Sequence, residues 1–355
     1  MNKFFFPYVT DSCTDGLETK IGAIYSKLAD EKSKEIFMYR LMYSFTYDYN
    51  YIEKMICSTG SGRKFKELLL QKNKYPIYIY GAGIRGVRLK RLFSRINFVA
   101  FLDKNKEGMQ DGLPIYNLDY LDGLDDKYTI IISVSTKYMD IRTDLLERGV
   151  PGNNIIVLKE FDNEESQYMY FDNSILTPDD KKVFVDAGCF DGHDTIRYLG
   201  WCSNENAPVI AIEADEGNYN ICKNTLSCYQ NVILYNLGLS DEKAVRKFYS
   251  SSSISSRISE EGNSEIVIQP LDALKNNQEI GYVKMDIEGE EAKALLGARN
   301  IITQQKPNLA ISIYHKREDI WNLPVLLLDM NPDYKFYLRH YTIGLTDTVL
   351  YAVQE

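Results

Sequence analysis

The 355-residue sequence has a formal net charge of −9, with 45% hydrophobic and 26% charged residues, which is ordinary for a globular protein. The acidic balance argues against a nucleic-acid backbone as the main partner. No stretch approaches the ~20 apolar residues of a membrane helix, and the Phe4–Phe6 cluster ends too early for a signal peptide. The six cysteines form no CxxC pair and no metal-ligand spacing with the three histidines, so we expect reduced thiols in a soluble, cytoplasmic protein.

The first predicted region, residues 1–74, is helical. Apolar residues recur at three- and four-residue steps from Thr19 to about Lys74. A Ser- and Gly-rich break at 58–62 separates two helical parts. Because no pattern here indicates chemistry, we expect these helices to pack against the next segment or against a second copy of the chain in a homo-oligomer.

A glycine-rich turn dominates the second predicted region, residues 75–160. The strand Ile77–Tyr80 leads into three glycines with the G-x-G-x-x-G spacing of dinucleotide-binding turns, Gly81, Gly83 and Gly86. The next strand ends at Asp103, where a ribose-binding acid is expected, and Arg85 makes the turn basic, as a phosphate ligand requires. The region is too short for a six-stranded dinucleotide fold, so this small Rossmann-like domain is expected to hold one nucleotide or none.

The same region resembles the amino-terminal domain of the sugar acyltransferases related to PglD. The motifs YGAGIRG, FLDKN, GLPIYNLDYL and IIISV occur in the same order. In those proteins the domain binds the nucleotide part of a UDP-sugar, so the resemblance implies nucleotide-sugar recognition. The alternative is a purely structural or assembly role for the domain.

Residues 161–181 are polar and charged and are predicted to form a linker. From 182 to 355, strands and helices alternate in the order that builds a doubly wound sheet, so the predicted fold class is α/β with two domains. Seven strands in the order of a class I methyltransferase are predicted, at 182–187, 209–213, 232–236, 282–286, 309–314, 335–340 and 348–353. An insertion between the third and fourth strands predicts a hairpin with a Ser-rich tip.

The stretch KVFVDAGCFDGHDT, Lys182–Thr195, is predicted to be a ligand-binding turn between a buried strand and a helix. Gly188 and Gly192 let the backbone turn sharply and approach a ligand. The turn is lined with acid, including Asp186 and Asp191, which repels phosphate and attracts a sulfonium or an ammonium group. S-adenosylmethionine therefore fits these four residues better than NAD or ATP does.

The next two strand ends extend this cofactor site. Glu213 follows the apolar run VIAI and is suited to accept hydrogen bonds from both ribose hydroxyls. Asp241 follows the third strand and is placed to accept a bond from the adenine amino group. Both residues are therefore predicted to bind the cofactor.

Acids and a histidine follow the fourth and fifth strands. Asp286 and Glu288, in MDIEGEE, are placed to orient a substrate hydroxyl or take its proton, and Asp286 also faces the cofactor. His315 is the preferred base, because an unperturbed pKa near ~6.5 suits proton removal at neutral pH. Glu290 and Glu291 are expected to favour the positive end of the following helix. We assign no resident metal; in the alternative, Asp286 and Glu288 would be the ligands of a divalent ion.

Residues 182–353 resemble the FkbM family of S-adenosylmethionine-dependent methyltransferases. The matching motifs are VFVDAGCFDGHDT, AIEAD, NLGLSD, VIQPLDAL, YVKMDIEGEEAKALLGA, KPNLAISIYHKREDIWNLP and YKFYLRHY. The helical start followed by a small Rossmann-like domain also looks like longer family members found with polysaccharide genes. Family members methylate hydroxyls, so the resemblance implies O-methylation of a sugar or a polyketide. Cys189 and Phe190 stand where the family has a small residue and Asn.

Together these features predict an S-adenosylmethionine-dependent O-methyltransferase that acts on a hydroxyl of a saccharide or nucleotide-linked sugar in surface polysaccharide biosynthesis. One alternative is a non-catalytic nucleotide-sugar-binding or assembly protein that keeps the methyltransferase fold. A third interpretation, an NAD-dependent oxidoreductase using Gly81–Gly86, is disfavoured because no Tyr-x-x-x-Lys pair follows the turn at a suitable spacing.

Overall fold

The computed structural model describes residues 16–125, 127–250, 257–259, 261–274 and 278–354. The Phe4–Phe6 cluster and most of the Ser-rich tip lie outside these residues. The chain forms two compact units. The small unit contains Met38–Met169 and His340–Asp347, and the large unit contains the described residues up to Phe37, Tyr170–Arg339 and those from Thr348 onward.

The described chain starts with two helices, α1 (Leu17–Lys27) and α2 (Glu31–Thr46), and the division between the units falls inside α2. Two further helices, α3 (Tyr49–Cys57) and α4 (Gly60–Lys72), follow in the small unit. The side chains of Asp48 and Thr59 accept hydrogen bonds from the first-turn amides of these two helices, which explains where each begins.

The rest of the small unit is a six-stranded sheet with its helices. Its elements are β1 (Ile77–Tyr80), α5 (Ile84–Leu92), β2 (Phe98–Leu102), β3 (Gly108–Gln110), β4 (Leu113–Tyr116), β5 (Thr129–Ile132), α6 (Tyr138–Glu147), β6 (Ile155–Val157) and α7 (Leu158–Ser166). The strand order is β3-β4-β2-β1-β5-β6, parallel except for the β3–β4 hairpin. β1 and β5 are buried along their whole length, as strands covered on both faces must be.

The large unit is built on a seven-stranded sheet and a smaller four-stranded one. Its further elements are β7 (Val183–Ala187), α8 (His193–Cys202), β8 (Val209–Glu213), α9 (Glu216–Thr225), β9 (Val232–Asn236), β10 (Gly238–Leu239), β11 (Ala244–Tyr249), β12 (Arg257–Ile258), β13 (Ser264–Gln269), β14 (Ile280–Met285), α10 (Glu291–Leu296), α11 (Arg299–Gln304), β15 (Asn308–Ser312), α12 (Asp319–Met330), β16 (Lys335–His340) and β17 (Thr348–Val353).

The large sheet has the order β16-β17-β15-β14-β7-β8-β9. β7 lies between β14 and β8, parallel to both, with Val185 opposite Val283 and Ile210. β17 runs antiparallel to β15. The turns after β7, β8, β14 and β15 therefore meet at one edge of the sheet, which is where ligands bind in doubly wound folds. The four-stranded sheet, β10-β13-β11-β12, contains the predicted insertion.

The α/β class predicted from the alternation of strands and helices is confirmed. The segment predicted as a linker at 161–181 has a different structure, because α7 extends into it and the Phe161 ring packs against Phe65 with centroids 5.0 Å apart. The units change at Met169, and Tyr170 is already buried in the large unit. No helix among the described residues has the length and apolarity needed to cross a membrane.

Candidate active site

The glycine turn after β7 is held in a backbone conformation that a side chain would disrupt. Gly188 has φ +79°, and a Cβ placed on it would lie 2.0 Å from the carbonyl oxygen of Asp286. Gly192 has φ +86° and directly precedes α8. Phe190, between them, also lies in the left-handed region at φ +51°, a conformation that is costly for a bulky residue. Both predicted glycines are thus required by the geometry of the turn.

Asp186 is fully buried and satisfied inside the protein. Its Oδ1 lies 2.9 Å from Nζ of Lys284, and its Oδ2 accepts a hydrogen bond of 2.8 Å from Thr195. Lys284 also donates to the carbonyl of Gly188 at 2.7 Å and lies 3.6 Å from Asp194. Burial lowers the pKa of Lys284, but the negative charges of Asp186, Asp194 and the more distant Asp286 raise it by more. The ammonium group therefore stays charged. Sequence reasoning missed Lys284, which fixes Asp186 and the turn.

Glu213 ends β8 beside the glycine turn, with only 8% of its surface exposed. Its Oε2 accepts a bond of 3.0 Å from the amide of Phe190, and its Oε1 accepts one of 2.8 Å from the amide of Asp215. Burial raises the pKa of Glu213 to about 7, although these two amides oppose the shift. The structure thus brings together the turn and the acid that the sequence placed in one cofactor site.

The other two acids of the predicted cofactor site make local contacts. Asp191 accepts from the amide of His193 at 3.1 Å, and its other oxygen lies 3.0 Å from Nδ1 of the exposed His193 ring. Asp241 is exposed and accepts from the hydroxyl of Ser240 at 3.2 Å. Asp191 therefore lies in the glycine turn itself, whereas Asp241 follows β10.

Asp286 follows β14 and is surrounded by hydroxyl donors. The hydroxyl of Tyr170 donates to Oδ2 at 2.7 Å, and that of Tyr314 lies 3.1 Å from Oδ1. Nε2 of His315 lies 3.4 Å from the same Oδ1. Neither tyrosine was expected in the site. Tyr170 belongs to the predicted linker, where only its apolar neighbours in YMYF signalled a buried position.

His315 lies among acids, with its side chain 9% exposed. Its Nδ1 is 2.9 Å from Oε1 of Glu291, and its Nε2 is 3.8 Å from Glu288. Burial lowers the pKa of His315, but Glu291, Asp286 and Glu288 raise it more, to about 9. The imidazole is thus protonated at neutral pH in this arrangement, whereas the sequence suggested an unperturbed value near ~6.5.

Two of these acids differ from their sequence interpretation. Glu288 has φ +55° and a side chain 37% exposed, and burial raises its pKa to about 7. Glu291 is 1% exposed and accepts from the amide of Ile287 at 3.0 Å, in the turn before α10. It also faces His315, which sequence reasoning missed. In the sequence, the feature that could have indicated this contact is Gly289, which has φ +96° and turns the chain back toward the end of the strand.

Three of these side chains can hold a metal ion. Asp286, Glu291 and His315 each offer a ligand atom, and these atoms lie within 4.8 Å of one another. This set differs from the pair Asp286 and Glu288 that the sequence offered as alternative ligands. Within the described part of the chain, these three residues are the set of histidine, cysteine and acidic side chains whose donor atoms lie close enough to share one metal ion.

The glycine turn of the small unit is occupied by its own side chains. Asp103 accepts from the amides of Ala82 and Asn105, both at 2.9 Å. Arg85 pairs with the buried Asp162 at 2.7 Å. Local geometry requires two of the three glycines: Gly81 has φ +103°, and a Cβ on Gly86 would lie 2.1 Å from the carbonyl oxygen of Gly81. A Cβ on Gly83 would meet nothing within 4 Å, so that position has room for a side chain. The side chains predicted to bind a nucleotide, Arg85 and Asp103, therefore already have partners within the small unit.

Comparison with solved structures identifies proteins of similar fold. The structure of a methyltransferase FkbM from Methylobacillus flagellatus matches 91% of this chain and 99% of its own, with 19% identity and a TM-score of 0.53. A putative caffeoyl-CoA O-methyltransferase from Staphylococcus aureus matches 62% of this chain and 93% of its own, with 11% identity and a TM-score of 0.34. Aeropyrum pernix fibrillarin with bound S-adenosyl-L-methionine matches 50% and 69%, with 9% identity and a TM-score of 0.32. The first likeness shows a shared fold, and the other two are too remote to support an argument.

No curated protein matches the sequence. The family model of the methyltransferase FkbM domain matches residues 186–341. This span starts at Asp186, at the end of β7, and includes the glycine turn, Glu213 and the Asp286–His315 cluster described above. Residues 186–341 thus match a methyltransferase FkbM domain, and nearly all of them belong to the large unit.

Proposed function

We propose that the protein is an S-adenosylmethionine-dependent O-methyltransferase that transfers a methyl group to a hydroxyl of a saccharide or a nucleotide-linked sugar. The FkbM domain supports methyl transfer. The observation that carries the cofactor assignment is the position of Glu213, a buried carboxylate beside the glycine turn that contains Asp191.

The residues at this turn fit the cofactor. Each oxygen of Glu213 accepts one backbone amide, and a carboxylate oxygen can accept a second donor, so the acid can still bind the two hydroxyls of a ribose. Additional hydrogen-bond donors would stabilise the charged carboxylate of Glu213, because burial removes water from it. The partly exposed Asp191 supplies negative charge within the turn for an ammonium or sulfonium group.

The cofactor, held by the glycine turn and Glu213, would supply an electrophilic methyl group for transfer to the hydroxyl oxygen. The protein's own contribution is to align that oxygen and to accept the hydroxyl proton. Asp286, fixed by Tyr170 and Tyr314, can orient the hydroxyl. We propose that the protonated His315 passes its proton to Glu288, 3.8 Å away, and then accepts the hydroxyl proton.

The acceptor is the finer part of the proposal. The resemblance of the chain to FkbM proteins found with polysaccharide genes supports a saccharide hydroxyl and a role in surface polysaccharide biosynthesis. The PglD-like motifs of the small unit support a nucleotide-linked sugar. The internal partners of Arg85 and Asp103 instead favour the structural role of that unit, and then the large unit alone would select the acceptor.

Calorimetry with S-adenosylmethionine, a UDP-sugar and NAD, each titrated separately, tests the proposal. We expect binding of S-adenosylmethionine, weakened by Glu213→Ala and unchanged in the control Glu216→Ala, which alters an exposed acid in the first turn of α9. Transfer of a labelled methyl group to a panel of saccharides and UDP-sugars would then identify the acceptor. A chain that binds a UDP-sugar but no S-adenosylmethionine would support the non-catalytic alternative, and binding of NAD alone would support an oxidoreductase.

A further inference from the structure

We propose that Asp286, Glu291 and His315 bind a divalent first-row transition-metal ion, with Mn²⁺ as the representative, in the large unit. We infer further that hydroxyl oxygens of the acceptor complete its coordination, and this second part rests on the proposed function. The first part depends only on the side chains present.

The geometry provides one nitrogen and two oxygen donors on converging elements. Nε2 of His315 lies 3.4 Å from Oδ1 of Asp286, and its Nδ1 lies 2.9 Å from Oε1 of Glu291. For metal–ligand bonds of about 2.1 Å, donors on adjacent octahedral positions are separated by about 3 Å and donors on opposite positions by about 4.2 Å. Only one ring nitrogen of His315 can bind the ion, and the three donor atoms, one from each side chain, lie within 4.8 Å of one another, near the upper end of these separations.

Buried atoms in this cluster lack hydrogen-bond partners. Glu291 is 1% exposed, and among the described residues its Oε2 has no hydrogen-bond partner. Neither ring nitrogen of His315 has a well-aligned hydrogen bond within the described chain, although Nδ1 is at ion-pair distance from Glu291. A buried polar atom without a partner is costly, so a ligand that supplies one is favoured. A metal ion satisfies an imidazole nitrogen and carboxylate oxygens together.

The charge of the surroundings also favours a cation. Four acids surround the ring of His315, namely Asp286, Glu288, Glu291 and Asp319. Lys316 is the neighbouring cation, and its ammonium donates to the carbonyl of Gly289. These four carboxyl groups outnumber the nearby cations Lys316 and Arg257, so an added cation would offset part of the negative charge.

The surrounding residues resemble the outer shell of a metal site. The hydroxyls of Tyr170 and Tyr314 bond Asp286, and the amide of Ile287 bonds Glu291. Such partners orient metal-ligating carboxylates. The imidazole donor suits Fe²⁺ or Zn²⁺ and the two carboxylates suit Mn²⁺, whereas Mg²⁺ and Ca²⁺ prefer all-oxygen sites. A hydroxyl bound to such an ion loses its proton more easily, which is the chemistry that O-methylation requires.

Mn²⁺ titration of the full-length, chelator-treated chain, followed by electron paramagnetic resonance, tests the site. We expect saturable binding and a ¹⁴N modulation in the spin echo from the His315 ring. Glu291→Gln keeps an oxygen for the amide of Ile287, so the fold should survive, but Mn²⁺ affinity should fall by ~10-fold or more. His315→Gln should remove the ¹⁴N signal. Glu290→Gln is the control, because Glu290 pairs with Lys293 and should leave binding unchanged.

Absence of Mn²⁺ binding at about 1 mM, or equal affinity in wild type, Glu291→Gln and His315→Gln, would overturn the site and leave a plain histidine–acid cluster. Calorimetry with S-adenosylmethionine on the same samples separates the two proposals. Mn²⁺ binding without cofactor binding would retain the metal site and remove the methyltransferase proposal. Cofactor binding with turnover that a chelator does not reduce would retain the methyltransferase and remove the metal from its reaction.

Discussion

The protein contains two glycine-rich strand–turn–helix units that look alike in sequence but differ in structure. In the small unit, Arg85 and Asp103 are bound to Asp162 and to loop amides within the domain. In the large unit, the turn faces Glu213, a buried acid whose pKa is raised to about 7 because burial removes water from the carboxylate. A glycine fingerprint therefore indicates how the chain turns, whereas the partners of the nearby polar groups indicate whether a ligand is needed.

The largest expected difference between the turns concerns their ion pairs. Lys284→Met should lower the free energy of unfolding by about 3–5 kcal/mol, because Asp186 would remain buried without its partner. Arg85→Met should cost less, about 1–3 kcal/mol, because Arg85 is one-third exposed and the buried Asp162 keeps the amide of Ile343 as a partner. Urea unfolding measures both. Equal losses would contradict the contrast between a buried and a partly exposed pair.

Glycine substitutions should show the second largest difference. Gly188→Ala should destabilise the large unit by about 2–3 kcal/mol, because its φ of +79° is unfavourable for alanine and the Cβ would collide with a carbonyl oxygen. Gly83→Ala should change stability by no more than about 0.5 kcal/mol, because its Cβ meets nothing within 4 Å. Thermal unfolding checks both variants. A large effect at Gly83 would show that the turn contacts something outside this chain.

Ligand affinity should separate the two acids that follow the turns. Glu213→Ala should weaken S-adenosylmethionine binding by about 1–3 kcal/mol, since hydrogen bonds to a charged group are lost. Asp103→Ala should leave that affinity unchanged, because Asp103 bonds the amides of Ala82 and Asn105. Calorimetry measures both affinities. The same affinity in wild type and Glu213→Ala would remove the ribose assignment.

The smallest expected effect is a pH dependence at Glu213. Its folded pKa of about 7 lies above its ordinary value of 4.5, so the folded protein retains this proton while the unfolded chain loses it. Stability from this group is therefore greatest at low pH, falls as pH rises from about 4.5 to 7, and is level above that.

Ribose hydroxyls bind the charged form of Glu213, so cofactor affinity should rise with pH through about 7, by at most ~10-fold per pH unit. Calorimetry from about pH 5.5 to 8.5 checks this. In Glu213→Gln this dependence should disappear, and its persistence would place the titrating group elsewhere.

The strands and turns of this protein could be predicted from local sequence. The strands at 209–213, 232–236, 335–340 and 348–353 have the predicted bounds, because short apolar runs between breakers specify strands without distant information. The turn at Gly188 and Gly192 was predictable for the same reason, since only glycine adopts those φ values without strain. The proximity of Glu213 and Asp286 to that turn follows from the order of parallel strands.

Only the tertiary structure decided which side chains meet. Tyr170 enters the site from a segment whose polar composition predicts a linker, and Lys284 neutralises Asp186 across two neighbouring strands. Glu291 faces His315 because the chain reverses at Gly289, which changes the predicted base into a protonated member of an acidic cluster. Propensity and periodicity act over a few residues. Ion pairing and desolvation depend on neighbours in space, so the charge of His315 and the partners of Arg85 were settled only by folding.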